Sequence, residues 1–499
     1  MLKQKLILSY SSGIIFQVLQ VVASLVVARV AGPTVLGTVA FGTAFVSLIA
    51  FIADLGLATA HIRLISQGRD EAKCITTFTI LKLATTTLFV LSVITMFMVQ
   101  KYLLNEPFES RVHEIVIFIS LAAVTVSQLL FIPKSTFAAH TEQAKIELPN
   151  LTQGFILQPL RIVIVLLGYG AIALASASLA SYLLVIPLYI YLFRGYNYGS
   201  FDKKLAREYI SISLPVIFIG MSTSMINQVD KVLLQYLAGS ESVGYYTAGF
   251  KIGGFILLVG KSVRKLFFPL FSKAIAENNQ QYIKDKIERF ERFSFLFIMP
   301  AILLLIIFSK EIIFLLLGAE YLESVLVMQL VTGAMFISIV NMPFESVVEG
   351  DGKFKLSAIL STANLVLFVG LIFVFVGPWF FDLEAAGVAV ALLLSMLFLG
   401  VIFRFYALRS CPILSHISAA KYALFGLLFF AAFFLVYEWL FDDQWYLQAV
   451  FVSIFLICIY AFFTLIGWMS RKDWQELLSV ADFGSMKNYI SSELTKKKK

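Results

Sequence analysis

The chain has 499 residues, of which 60% are hydrophobic and only 14% charged, and its mean hydropathy is +0.89. A soluble domain has about 25% charged residues, so this composition excludes a soluble enzyme, a nucleic-acid-binding domain and a secreted disulfide scaffold. The net charge of +8 does not indicate nucleic acid, because the basic residues gather in alternate loops between apolar stretches. We therefore predict an all-α polytopic membrane protein.

The predicted elements are apolar segments long enough to cross a bilayer, which takes about 20 residues per helix. The first is interpreted as a span and not as a signal peptide, because its apolar run is too long and lacks a clear cleavage site. Fourteen spans are predicted, at 8–30, 38–60, 76–99, 114–137, 149–168, 171–193, 210–236, 246–270, 293–317, 324–346, 355–377, 385–406, 421–441 and 446–469.

Lysine and arginine distinguish the two ends of these spans. One set of loops contains Arg63, Arg69, Lys203 and Lys204 among many others, whereas the opposite set contains Lys101, Arg111 and Lys310, with Arg29 at its border. Basic loops stay on the cytoplasmic side, so both termini are predicted to lie in the cytoplasm and the protein in the cell membrane. No long outer loop remains for a catalytic domain, so we predict that the chain is not an enzyme.

Metal and disulfide chemistry is not predicted either. Cys74, Cys411 and Cys458 are far apart and form no CxxC pair, which gives neither a disulfide framework nor a zinc site. The sequence also has no HExxH motif and no pair of histidines at ligand spacing.

An internal repeat relates the two halves of the chain. Ala31-Gly32-Pro33-Thr34-Val35-Leu36-Gly37 recurs 207 residues later as Ala238-Gly239-Ser240-Glu241-Ser242-Val243-Gly244, and Gly42 falls on Gly249. At the same offset, two polar quartets with helical spacing correspond: Gly13, Gln17, Gln20 and Ser24, and Gly220, Ser224, Asn227 and Lys231. A weaker echo offset by 217 relates spans 6 and 12.

The repeat predicts two pseudo-symmetric six-helix lobes around a central cavity, related by an axis along the membrane normal. The predicted regions are an N-terminal lobe (1–200), a C-terminal lobe (201–410), two further spans (411–470) and a basic cytoplasmic tail (471–499).

Several motifs resemble those of polysaccharide flippases of the multidrug/oligosaccharidyl-lipid/polysaccharide exporter superfamily. They are Asp54-Leu55-Gly56-Leu57, Gln228-Val229-Asp230-Lys231 with Gly244-Tyr245-Tyr246, Phe268-Pro269, Leu317-Gly318-Ala319-Glu320-Tyr321, and Gly350-Asp351-Gly352-Lys353. The resemblance implies transfer of undecaprenyl-pyrophosphate-linked oligosaccharide repeat units to the outer leaflet. It also implies V-shaped lobes that alternate access, with spans 1, 2, 7 and 8 lining the cavity.

A pyrophosphate needs cations in a wet cavity, and charges within spans are usually functional or paired. The candidates for its site are Lys231 and Lys251, followed by Arg29 and Arg63. Adjacent Asp230 is not expected to pair with Lys231, because neighbouring residues of a helix point about 100° apart.

Other intramembrane cations have two interpretations that the sequence leaves open. Lys82 and Arg161 either face the cavity or form structural pairs with carboxylates. Lys261, Arg264 and Lys265 lie near the cytoplasmic end of span 8 and could reach lipid phosphates instead.

Intramembrane acids and amides complete the candidate site. Asp54, Asp230 and Glu345 could exchange a proton or bind sodium during transport, although Asp54 could equally hydrogen-bond backbone near the end of span 2. No cofactor is predicted, apart from this coupling to H⁺ or Na⁺. Five amides either contact sugar hydroxyls or join helices: Gln17, Gln20, Asn227, Gln228 and Asn364.

The predicted partners are a lipid-linked oligosaccharide, membrane lipids, a polysaccharide polymerase and a chain-length regulator, and no nucleic acid. Two alternatives keep the fold and change the cargo, to lipid II or to drugs. The fourteen spans and the Asp54–Leu57 motif favour a polysaccharide flippase over a twelve-span drug exporter. A membrane polymerase is a further alternative, but it needs a long acidic outer loop.

Overall fold

The computed structural model describes residues 2–105 and 107–413, in which every regular element is a helix. Predicted spans 13 and 14, the basic tail and Cys458 lie outside the described residues. The chain divides into a large unit, Lys5–Phe290 with Leu304–Ser415, and a small unit whose described residues are 2–4 and 291–303. The fold and the site described below belong to the large unit.

Seven helices belong to the first half of the chain. A short 3₁₀ helix, Ala50–Ala53, separates the first two, and a π-helical turn, Val99–Leu103, extends the third. The helices are α1 Leu2–Ser47, α2 Leu57–Ser66, α3 Glu71–Met98, α4 Arg111–Leu129, α5 Phe131–Ala139, α6 Gln143–Leu166 and α7 Ala171–Phe193.

Nine helices follow in the part of the second half that the structure describes, up to residue 413. Short 3₁₀ segments occur at Gly254–Ile256 and Ala319–Tyr321, and a π-helical turn occurs at Ser294–Ile298. The helices are α8 Lys203–Ile226, α9 Val229–Gly253, α10 Leu257–Ala276, α11 Gln280–Phe293, α12 Met299–Ile307, α13 Ser309–Leu316, α14 Ser324–Gly350, α15 Phe354–Val376 and α16 Glu384–Ser410.

Within the described residues, seven helices are long and apolar enough to cross a membrane. The count is eight if α12 and α13, which meet at a bend of 65°, form one broken span. Both counts confirm an all-helical, multi-pass membrane protein, while the number fourteen stays a prediction. Such helices satisfy their backbone hydrogen bonds internally, as the bilayer core requires.

The repeat at offset 207 has a counterpart in the backbone. Gly32 interrupts α1 with φ 78° and ψ 167°, and Gly239 interrupts α9 with φ 81° and ψ 178°. This region of positive φ is accessible to glycine at no steric cost. Each glycine therefore kinks the chain between two helical segments at the same place in its half.

The helices that follow these two turns pack against each other. A Cβ added at Gly37 would overlap the carbonyl oxygen of Ser240, and one at Gly244 would overlap that of Pro33. Since Pro33 and Ser240 are themselves 207 residues apart, the contact has pseudo-two-fold symmetry. Only glycine permits this approach of two backbones.

Side chains of both halves reinforce this contact on the predicted outer side. Glu109, just before α4, accepts hydrogen bonds from Ser240 N (3.1 Å) and Gln235 Nε2 (2.7 Å), while His113 Nε2 lies 2.6 Å from Ser240 Oγ. Tyr321 Oη donates to the carbonyl of Ala28 at 2.9 Å. We call these residues and the glycine contact the outer contact.

The segment that joins the halves is attached to the first half. Gly199 N donates to Thr76 Oγ1 (2.8 Å), and His61 Nδ1 lies 2.7 Å from the hydroxyl of Tyr209 on α8. His61 Nε2 contacts Thr136 Oγ1 at 2.9 Å, and the side chains of His61 and Tyr209 are fully buried. The first turns of α8 are therefore bound to α2, α3 and α5.

The core of the second half lies between α9, α14, α15 and α16. Leu234, Val331, Ile372 and Val388 are fully buried there and belong to one apolar cluster. This packing gives α9 a fixed support among the helices of the second half, and Ala40 of α1 packs against the same cluster.

Candidate functional site

Helix breaks position the candidate site. The chain leaves helical geometry after Ser47, and Leu55 and Gly56 have φ values of 47° and 79° before α2 begins at Leu57. A second break separates α8 from α9 at Asn227 and Gln228. Non-helical backbone at membrane depth is tolerated where it is buried in protein or lines a cavity. The sequence analysis predicted continuous spans at both places.

Both breaks border one cavity of about 480 Å³. Its wall combines polar side chains from both breaks with aromatic and aliphatic groups. The lining residues are Ser47, Ala50, Phe51, Asp54, Leu55, Gly56, Gln128, Phe131, Ile217, Gly220, Ser224, Asn227 and Gln228. We call this space the break cavity.

Asp54 forms an ion pair in the wall of the break cavity. Lys82 Nζ on α3 lies 2.7 Å from Asp54 Oδ1 and donates to Gln128 Oε1 at 3.0 Å. The side chain of Lys82 is fully buried, whereas that of Asp54 is 30% exposed. Of the two interpretations of Lys82, the structure therefore favours the structural pair.

Lys231 has a partner that the sequence analysis did not expect. Its Nζ lies 3.1 Å from Asp230 Oδ1 and donates to the carbonyl of Asn227 at 2.9 Å. Asp230 also accepts from the hydroxyl of Tyr246 at 2.9 Å. The expectation that Asp230 would not pair with Lys231 is wrong, because the two residues begin α9 at a helix break and the lysine side chain folds back over it.

Lys251 has no hydrogen bond or ion pair among the described residues, and its side chain is exposed although it lies deep among the helices. Its electrostatic neighbours are Arg161 on α6 and Lys231 on α9, both of the same sign. Arg161 donates to Ser178 Oγ at 3.0 Å. Cations from both halves thus lie close together without a carboxylate bound to Lys251. We call Lys231, Lys251 and Arg161 the cation cluster.

The other two predicted cations are placed elsewhere. Arg29 donates to the carbonyl of Leu315, next to the outer contact. Arg63 is an exposed residue in the last turn of α2. No described contact connects either of them to the cation cluster.

Glu345 lies in a different ion pair. Arg264 Nη1 is 3.3 Å from Glu345 Oε2, and Arg264 Nη2 is 2.6 Å from Glu349 Oε1. One guanidinium therefore serves two carboxylates, and Arg264 is engaged by protein acids and not only by lipid. The side chains of Lys261 and Lys265 are outside the described part.

The predicted amides are dispersed. Asn227 and Gln228 line the break cavity. Asn364 on α15 is 2% exposed, and its Oδ1 has no hydrogen-bond partner in the described structure. Gln20 is exposed, and the side chain of Gln17 is not described.

Gln128 was not predicted as a site residue, and Arg161 was predicted only as one of the intramembrane cations with two open interpretations. Arg161 was recognised as an intramembrane charge, but its proximity to Lys251 joins predicted spans 5 and 8, which have no sequence relationship. Gln128 gave no signal at all, because an amide in an apolar span is compatible with many helix contacts.

Comparison with known proteins agrees with this arrangement. A family model described as a polysaccharide biosynthesis protein matches residues 26–326. The probable low-salt glycan biosynthesis flippase Agl15 of Haloferax volcanii is 21% identical over 327 residues, which cover 63% of this chain. The chain spans 65% of the length of that relative.

Two solved structures share the fold. The lipid II flippase MurJ, in an inward closed conformation, has a TM-score of 0.68 at 16% identity, over 92% of this chain and 99% of that one. An inward-facing multidrug resistance MATE family transporter of the MOP superfamily has a TM-score of 0.65 at 15% identity, over 80% and 96%.

The fold is therefore that of multi-pass transporters of the MOP superfamily. The family model covers more than half of the chain, so the chain belongs to the family of polysaccharide biosynthesis proteins. This membership confirms the resemblance seen in the Asp54–Leu57 motif. These three relatives are named as flippases and transporters, in agreement with the prediction of a protein that is not an enzyme.

Proposed function

We propose that this protein is a flippase that moves undecaprenyl-pyrophosphate-linked oligosaccharide repeat units from the cytoplasmic to the outer leaflet. The observation that carries the proposal is the cation cluster. Lys251 lies near two like charges and has no carboxylate partner in the described structure. A lysine without a counter-charge within a membrane protein is costly. A multivalent anion such as a pyrophosphate would supply the missing counter-charge.

The cluster is also divided between the halves in a way that suits alternating access. Arg161 comes from the first half, and Lys231 and Lys251 come from the second. An anion held between them would therefore couple the headgroup to the relative position of the two proposed lobes. A ligand can shift such an equilibrium only by binding the two states differently.

The outer contact supports an inward-facing state. Hydrogen bonds that join residues 5–193 to residues 229–290 or 304–413 gather at the outer contact and at its neighbours Arg29, Tyr236 and Gln100. With cytoplasmic termini, this pattern closes the path to the outer leaflet. The cation cluster would then receive cargo from the cytoplasmic leaflet, where lipid-linked glycans of this class are assembled.

Coupling to H⁺ or Na⁺ is part of the proposal, and the structure favours Glu345 over the other acids. Asp54 and Asp230 each have a lysine partner. Glu345 and Glu349 share Arg264, so this trio has one carboxylate more than it has cations. Binding of a proton or a sodium ion would neutralise the surplus carboxylate, so this trio is the most favourable place for the coupling ion to bind.

Flipping by purified protein tests the proposal. Proteoliposomes that contain undecaprenyl-diphosphate-linked N-acetylglucosamine are treated with a sugar-oxidising reagent that cannot cross the membrane. We expect Lys251→Ala and Arg161→Ala to lower the flipping rate at least tenfold, while Lys203→Ala, which removes an exposed lysine at the start of α8, keeps the wild-type rate. Equal rates in all four proteins would refute the role of the cluster.

The same assay addresses the remaining parts of the proposal. A pH or sodium gradient should change the wild-type rate, and Glu345→Gln should remove that response. In cells, normal polymer from a flippase-null strain that carries Lys251→Ala would contradict the assignment of the cargo headgroup. The polymerase and the chain-length regulator remain proposed partners of the pathway.

A further inference from the structure

The break cavity has a composition that the cation cluster does not explain. Its charged residues, Asp54 in the wall and Lys82 behind it, neutralise each other through a 2.7 Å ion pair. The cavity therefore has no net charge with which to attract a phosphate. Its volume of about 480 Å³ lies within the range of about 300–1,000 Å³ that is usual for small-molecule sites.

The wall offers both donors and acceptors to an uncharged ligand. Lys82 occupies Oδ1 of Asp54, and no described residue donates to Oδ2, although the side chain is partly exposed. Lys82 also occupies the carbonyl oxygen of Gln128, so the amide NH₂ of that residue is the end left to donate. Asn227 and Gln228 add two further amide residues to the cavity wall.

The apolar part of the wall is aromatic. Phe51 and Phe131 line the cavity, and Lys82 Nζ and Lys134 Nζ lie 5.3 Å and 5.7 Å from the centroid of the Phe131 ring. This wall is suited to a sugar. Its carboxylate and amide groups can hydrogen-bond neighbouring sugar hydroxyls, and its aromatic rings can pack against the C–H face of the sugar ring. A lipid tail would leave these polar groups without partners, at a cost of about 1–3 kcal/mol for each buried group.

The two sites are adjacent. Lys231 Nζ of the cation cluster donates to the carbonyl of Asn227 at 2.9 Å, and Asn227 is part of the cavity wall. In a lipid-linked glycan the first sugar is bonded directly to the phosphate. A headgroup held at the cation cluster would therefore present its first sugars to the break cavity.

We propose that the break cavity is the glycan subsite of this transporter, in which Asp54, Gln128 and Phe131 contact the sugars nearest to the phosphate. This inference rests on the proposed function and adds to it the residues that recognise the sugar. It also explains the helix break at residues 54–56, because a continuous helix there would fill the part of the break cavity that the sugar would occupy.

Gly220 offers a steric test that leaves the polar network intact. It lies within α8 in the cavity wall, and a Cβ added there meets no atom within 4 Å. A leucine at this position would extend into the cavity, and leucine also favours a helix more than glycine does. Gly370 on α15 is the matched control, because its Cβ would likewise meet nothing within 4 Å and it is not part of the wall.

The experiment measures binding of two probes to the full chain in nanodiscs: undecaprenyl diphosphate without sugar, and the same lipid with N-acetylglucosamine or glucose attached. We expect the wild type and Gly370→Leu to bind at least one glycosylated lipid at least fivefold more tightly than the bare lipid. Gly220→Leu should lose this preference and bind the bare lipid within twofold of wild type. Gln128→Ala should reduce the preference in the same direction.

Three results would overturn the inference. If wild type binds all three lipids equally, the headgroup site stands and the glycan subsite does not exist. If Gly220→Leu keeps the preference of wild type, the sugar binds elsewhere. If Gly220→Leu weakens the bare lipid as much as the glycosylated ones, the cavity holds the lipid chain. A wild type that binds none of the lipids would instead refute the proposed function itself.

Discussion

Gly37 and Gly244 occupy equivalent positions in the two halves, and each lies against the backbone of the other half's helix. Gly37 contacts Ser240 on α9, and Gly244 contacts Pro33 on α1. The two contacts are related by the same offset of 207 residues that relates the sequences. The outer contact is therefore built from the repeated feature of the chain, and its disruption should affect the conformational equilibrium before it affects the fold.

Alanine at Gly37 or Gly244 should open the outer contact. The added methyl group overlaps a backbone carbonyl that cannot move aside, and overpacking of this kind costs about 1–3 kcal/mol. Spin labels at Leu104 and Leu322, two exposed residues of the outer side in different halves, report the change. We expect pulsed EPR distances in either variant to shift to longer values. Gly370→Ala, which meets no neighbour, should leave them unchanged.

The pair of Asp54 and Lys82 should dominate the stability of the first half. Asp54→Asn leaves a fully buried ammonium without its counter-charge, and breaking a buried pair costs about 3–5 kcal/mol, less to the extent that water reaches the partly exposed carboxylate. A clear drop of Tm in detergent is expected. Replacing both residues, as Asp54→Asn with Lys82→Met, should recover part of the loss; a double variant less stable than Asp54→Asn alone would contradict the pairing.

Lys251 should show the opposite behaviour. Because its described electrostatic neighbours are both cations, Lys251→Met removes repulsion and no favourable contact. We expect a Tm within about 2 °C of wild type or above it, together with the loss of flipping. Lys231→Met is the informative contrast, since it removes the partner of Asp230 and should lower Tm. A large loss of stability in Lys251→Met would show that this lysine has a structural partner.

Glu109 makes the outer contact sensitive to strong acid only. Partial burial raises the pKa of this carboxyl, but hydrogen bonds from Ser240 and Gln235 outweigh it, and the net pKa lies below the ordinary value of 4.5. A carboxyl with a lowered pKa stabilises the closed form fully above its ordinary pKa, and the stabilisation is lost as the pH falls through the lowered value. The EPR distances should therefore be constant from pH 8 to about 5 and lengthen below about pH 4.

Glu109→Gln removes this dependence and tests the cause. The amide retains one acceptor but not the charge, and hydrogen bonds to charged groups contribute about 1.5–3 kcal/mol, less here because half of the side chain is exposed. The variant should give the longer distances at every pH. If Glu109→Gln instead behaved like wild type, with short EPR distances at pH 7 and longer ones below pH 4, the carboxylate of Glu109 would be excluded as the acid-sensitive group.

Much of the fold was predictable because a membrane helix can be recognised in the sequence by its length and its apolar composition. The bounds of α3, α7, α14, α15 and α16 follow the predicted spans closely. The turn at Gly32 and Gly239 was visible as a repeated motif, since only glycine adopts that backbone readily. The family could be identified from Asp54-Leu55-Gly56-Leu57 for a related reason: a residue pattern that breaks a helix is rarer than one that forms it.

The site was less accessible to sequence reasoning because it depends on distances between spans. Periodicity places Lys231 on one face of a helix but cannot show that α9 begins at Val229, and this break is what lets Asp230 reach the lysine. Arg161 and Lys251 are 90 residues apart in the chain, and nothing in either span indicates the other. Arg29 and Arg63 were predicted to bind the headgroup because of their charge alone, and the charge of a residue does not show how deep in the membrane its side chain lies.

The attachment of the first turns of α8 to the N-terminal half has a mechanical consequence. Because Tyr209 is bound to His61, and Gly199 to Thr76, the connecting segment cannot act as a loose tether between two moving bodies. We therefore expect any rotation of one half against the other to occur further along the chain, at the helix break formed by Asn227 and Gln228 between α8 and α9. Asn227 and Gln228 also line the break cavity, and the carbonyl of Asn227 accepts the hydrogen bond from Lys231. The backbone that would absorb a rotation is therefore also part of the proposed binding site, so cargo bound there would resist or favour the rotation directly.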